Sequence, residues 1–66
     1  MRSMSISLRA ARVDIGLTQQ QMADKLDVNK KTVQLWEMGK TVPKVDKVDA
    51  ICELLGRSYD EIRWSS

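Results

Sequence analysis

Only three glycines and a single proline interrupt this chain, and each falls at the edge of a run of helix-spaced apolar residues. Gly16 follows Leu8, Ala11 and Ile15, which lie three and four positions apart on one helical face. Gly39 follows Val33 and Trp36, and Gly56 follows Val45, Val48, Ile51, Cys52 and Leu55. A glycine just past the last periodic residue is a helix stop, and Pro43 marks the next helix start. Ser5 or Ser7 can cap the first helix. Thr18 and Gln21 form a T-x-x-Q capping box, so a second helix begins at Gln19 with Met22, Ala23 and Leu26 inward. Asn29 is a good N-cap for a third. Ser58 and Glu61 form another box, opening a short fifth helix with Tyr59 and Ile62 inward. No stretch alternates apolar and polar residues cleanly enough to predict a strand. The expected fold is all-α, a compact five-helix domain spanning 1–66, with its core in 5–62 and short tails. Ile6, Val13, Leu35, Met38, Leu54 and Trp64 are left outside that core.

Size and residue content exclude several functions. A chain of 66 residues cannot build a core and also a deep, water-free active site. Histidine is absent and cysteine occurs once, which excludes His-dependent catalysis, an internal disulfide and the usual Cys/His zinc sets. The nearest carboxylate pairs, Asp24/Asp27 and Asp60/Glu61, fall at caps or surfaces. The chain is therefore expected not to be an enzyme and to need no metal, cofactor or small-molecule ligand. No apolar run is long enough to span a membrane, and the N-terminus lacks a signal core. With a free cysteine, this fits the cytoplasm. The net charge of +2 is small, but its distribution is uneven. Lys30, Lys31, Lys40, Lys44 and Lys47 face only Glu37 and Asp46, so positive charge gathers in the middle of the chain, where it would attract phosphates.

The stretch from Gln19 to Trp36 has the length of a helix-turn-helix. The residues around it carry a wider pattern: Leu8, Arg12, Gly16-Leu17-Thr18-Gln19, Met22-Ala23, Leu26, Val28, Thr32-Val33, Trp36-Glu37, Gly39-Lys40, Pro43, Ile51-Cys52, Leu55-Gly56 and Asp60-Glu61-Ile62. In this ordered set the chain resembles the Cro/cI-type, or XRE, family of DNA-binding domains, with a lambda-repressor-like fold. The resemblance implies that the second helix crosses the DNA backbone and the third enters the major groove. It implies a phosphate contact for Gln19 and a partly buried bridge between Arg12 and Glu37. Three positions depart from the family pattern: Lys44 stands where a small polar cap is common, Arg57 where an apolar residue is, and Met38 where a polar or basic residue is.

Helical spacing selects the reading face. Val33 and Trp36 point to the core, so Lys30, Lys31, Gln34 and Leu35 point away. Lysine can donate to guanine, glutamine can pair with adenine, and leucine can touch a thymine methyl. Two lysines in the first turn oppose the helix dipole, which an anionic duplex would offset. Thr18, Gln19, Asn29, Thr32, Lys40 and Lys44 are the expected DNA-backbone contacts, with Thr18 chiefly a cap. Leu54, Ile62 and Trp64 form a candidate dimer seam, since such domains usually act as symmetric pairs on palindromic operators. The expected function is a sequence-specific transcriptional regulator, a small phage- or bacterial-type repressor, bound to double-stranded DNA as a homodimer. The alternative is a protein-interaction module, such as an antitoxin or a coactivator-type helix-turn-helix, which Met38, Leu54 and Trp64 would serve.

Overall fold

Helices of seven to eleven residues are too short to be stable alone, so their apolar faces must find one another. A computed structural model describes residues 5–64. In it a short strand β1 (Ile6–Ser7) leads into α1 (Leu8–Asp14), α2 (Gln19–Leu26), α3 (Lys30–Glu37) and α4 (Val45–Leu55). A 3-10 turn at Tyr59–Glu61 then feeds a second strand, β2 (Ile62–Arg63). The core is one cluster: Leu8 and Ala11, Met22, Ala23 and Leu26, Val33 and Trp36, Ile51 and Leu55, and Ile62.

The helix starts follow local chemistry. Ser7 Oγ accepts from the Ala10 N–H at 3.0 Å. Thr18 Oγ1 accepts from the Gln21 N–H at 3.0 Å, and Gln21 Oε1 accepts from the Thr18 N–H at 2.9 Å, which completes the capping box. The helix ends share one device. The N–H groups of Leu17, Val28, Lys40 and Arg57 each return to the carbonyl five residues back, on Arg12, Ala23, Leu35 and Cys52. That closure needs a left-handed residue just before the returning N–H. Gly56 supplies it at φ 68°, but Asp27 supplies it after α2 at φ 58°. Aspartate tolerates this region better than most residues. The carbonyl of Leu26 beside it accepts from Lys47 Nζ of α4 at 2.7 Å, so a cation closes the negative end of α2.

Among the described residues, the structure corrects the five-helix expectation to four α-helices and a pair of strands. The Ser58 box forms, with Glu61 Oε1 accepting from the Ser58 N–H at 2.8 Å, but the turn stops after three residues. Ile62 adopts an extended backbone because it pairs in parallel with Ile6, 56 positions earlier, and buries its side chain at 3% exposure. Ile6 thereby joins the core margin it was left out of. Tyr59 is exposed instead of inward. Its ring stacks on Trp64 at 5.5 Å, and its carbonyl accepts from the Trp64 indole N–H at 3.0 Å. Ile15 and Val45 are also exposed. Ile15 lies past the last residue of α1, and Val45 is the first residue of α4.

Candidate nucleic-acid interface

The geometry of the site starts from a charged residue in the apolar stripe of α1. Arg12 follows Ala11 into the interior, where its side chain is 8% exposed and that of Glu37, at the end of α3, is 4% exposed. Arg12 Nε donates to Glu37 Oε2 at 2.6 Å and Nη2 donates to Oε1 at 3.3 Å. The remaining Nη1 donates to the Leu17 carbonyl at 2.6 Å. A two-point contact of this kind fixes orientation as well as distance. Among the described residues no buried side-chain nitrogen or oxygen lacks a partner.

The bridge continues toward the surface. Gln19, first residue of α2, donates from Nε2 to Glu37 Oε1 at 3.0 Å. Gln34 of α3 donates from Nε2 to Gln19 Oε1 at 3.4 Å. Four side chains from three helices thus form one line, from a buried guanidinium to two half-buried amides. Charge–charge contact at its inner end holds α1 against α3. The outer end holds the facing surfaces of α2 and α3 in register. Sequence reasoning named all four residues, but not the Gln19–Glu37 and Gln19–Gln34 bonds that join them.

The other sequence-predicted residues fall into two groups. Asn29, Lys30 and Lys31 are exposed at the start of α3 and make no side-chain hydrogen bond or ion pair among the described residues. Asn29 occupies the N-cap but its side chain accepts no capping bond, so its amide is unspent. Lys40 and Lys44 are exposed on either side of the α3–α4 loop. Leu35 and Thr32 are half-buried on α3, Leu35 packing outside the core cluster. Thr18 has committed its oxygen to the cap. The candidate seam fares differently. Ile62 is inside the monomer's own core, while Leu54 and Trp64 pack partly against it. Ile62 is 3% exposed, so of the three residues only Leu54 and Trp64 keep partial exposure.

Two shallow clefts flank this network. One, of about 400 Å³, is lined by Arg9, Gln19, Gln34, Glu37 and Met38. The other, of about 360 Å³, runs between Trp36 and Trp64 beside Leu8 and Arg63. The carboxylates of Asp24, Asp27, Asp60 and Glu61 line neither. Glu61 is held below the ordinary carboxylate range, first by the Ser58 N–H and then by the Ser58 hydroxyl. The Cys52 thiol is pushed up by burial and by neighbouring Asp49, away from the reactive thiolate. No helix among the described residues is long and apolar enough to cross a membrane.

A helix-turn-helix family model, HTH_3, matches residues 8–62, from the first core residue of α1 to the buried residue of β2. A search of curated proteins finds no match.

Proposed function

The chain belongs to the helix-turn-helix family HTH_3, the Cro/cI-type DNA-binding domains, and on that premise we propose that it is a sequence-specific transcriptional regulator of the small phage- or bacterial-repressor type. It reads the major groove with α3. It works in the cytoplasm as a homodimer, at least on DNA, at a palindromic operator, and takes no small-molecule ligand.

The observation that carries this reading is the line of hydrogen bonds ending at Gln34. Its Nε2 turns toward Gln19, which leaves the amide oxygen and the second N–H for a duplex. An acceptor beside a donor complements the N6 and N7 edge of adenine. Gln19 spends one N–H on Glu37 and keeps another, at the positive end of α2, for a phosphate oxygen. Lys31 and Leu35 flank Gln34 on the outward face and extend the readout to guanine and to a thymine methyl. Lys30 meets a base or a phosphate. Asn29, Thr32, Lys40 and Lys44 hold the backbone with Gln19, and Thr18 positions it through the cap.

A protein-docking module, the second reading, would use exposed apolar surface. Of the three apolar residues that would serve it, Leu54 and Trp64 already pack on the chain's own core, and only Met38 is exposed. Selection of bound duplexes from a random pool tests the proposal. A regulator of this kind enriches two inverted half-sites about 34 Å apart centre to centre, each with a fixed adenine and thymine. A pool that returns unenriched, with binding insensitive to salt, overturns it.

A further inference from the structure

Arg9 is the one cationic side chain that the cleft beside Gln19 and Gln34 presents to solvent. It stands on α1, outside the helix-turn-helix proper, and is in neither of the two ion pairs among the described residues. Its natural partner in that cleft would be Glu37. Both Glu37 oxygens are already occupied, Oε2 by Arg12 and Oε1 by Arg12 and Gln19. The anion of the cleft is therefore neutralised from behind, and the cation at its rim is not.

We infer that Arg9 is a further DNA contact, a clamp from α1 on a backbone phosphate next to the one met by Gln19. This rests on the reading of α2 and α3 as the DNA-binding face. The cleft's chemistry favours a sugar-phosphate over a base edge. A guanidinium fork matches phosphate oxygens bidentately. Met38, 58% exposed in the same cleft, offers an apolar surface to the deoxyribose. The base-reading residues lie on α3, whereas Arg9 stands across the cleft on a different helix, where the strand held at the N-terminus of α2 would pass. A third helix thus joins the backbone grip, and the network that orients Gln34 also frees Arg9 to bind.

Equilibrium binding of the whole chain to its selected duplex and to random duplex, between about 50 and 200 mM salt, tests this. Arg9→Gln is expected to lower the salt slope by about 0.9 and to weaken both duplexes by the same factor. Arg9→Lys keeps the slope while recovering only part of the affinity. Lys25→Gln, at the far end of α2 from Gln19, keeps the wild-type slope. An unchanged slope in Arg9→Gln overturns the inference, as does an equal loss in Lys25→Gln, which would make the effect one of general field. A loss confined to the selected duplex makes Arg9 a base reader and overturns the phosphate assignment. Wild-type binding without salt dependence overturns the underlying reading of the face instead.

Discussion

At its C-terminal end α3 carries Trp36, 6% exposed, and Glu37, whose carboxylate accepts three hydrogen bonds from Arg12 and Gln19. At its N-terminal end Asn29, Lys30 and Lys31 are exposed, and their side chains hold no partner among the described residues. One helix of eight residues therefore has an end that the fold fixes and an end that the fold leaves to solvent. The two are coupled through Gln34, which lies between them and is tied to Gln19. A reading head of the kind proposed for α3 needs both properties. Rigid support fixes the register of the side chains, and unspent donors keep their capacity for a ligand. The free end is also the locally unfavourable one, since two cations oppose the helix dipole there.

Substitutions at the two ends should separate stability from binding. Glu37→Ala removes the carboxylate and strands the buried Arg12 guanidinium. It is expected to destabilise by about 2–4 kcal/mol, against little change for the exposed Glu53→Ala. Chemical denaturation of both variants measures this, and equal midpoints would mean that the fixed end is not fixed by the bridge. At the free end the sign reverses. Lys30→Ala removes a charge that opposes the dipole and should leave stability unchanged or raise it by about 0.3–1 kcal/mol. Its DNA affinity should nevertheless fall. A thermal melt and a binding curve on one preparation give both signs, and a variant losing stability and affinity together would erase the contrast.

A smaller effect lies away from α3. Glu61 is depressed below its ordinary value by the Ser58 N–H and hydroxyl, so the folded state favours its ionised form. A lowered folded value means that the contribution is fully present above the unfolded value of about 4.3 and is lost as pH falls through the folded one. Urea midpoints of wild type and Glu61→Ala should therefore differ at neutral pH and converge in acid. A gap that persists unchanged would assign the turn's stability to packing and not to the ionised cap.

What was legible in the sequence divides by distance along the chain. The Thr18–Gln21 box, the inward Val33 and Trp36 and the glycine stops depend on residues within a turn or two, and local spacing is enough to read them. Ile62 reads as helical in sequence because its partner, Ile6, is 56 residues away and a two-residue strand leaves no alternation to detect. Ile15 and Val45 continue their stripes in sequence, but neither end of a stripe announces where the neighbouring helix runs out. Arg12 was readable only through resemblance, since a charged residue on an apolar face has no local explanation. The Gln19–Gln34 link was hidden for a similar reason. Glutamines at those positions read equally well as solvated surface until α2 and α3 are packed.

The central claim is that α3 reads bases with the face carrying Lys31, Gln34 and Leu35, while Lys30 meets a base or a phosphate and Lys40 holds only the backbone. The direct test is affinity for the selected duplex and for random duplex at one fixed salt concentration, for Gln34→Ala, Leu35→Ser and Lys40→Ala. Gln34→Ala should cost about 1–3 kcal/mol on the selected site and relax preference at one base pair. Leu35→Ser should lose preference for thymine with little change on random DNA. Lys40→Ala should weaken both duplexes alike. If Gln34→Ala and Leu35→Ser instead shift the two affinities by the same factor, α3 is not the reader.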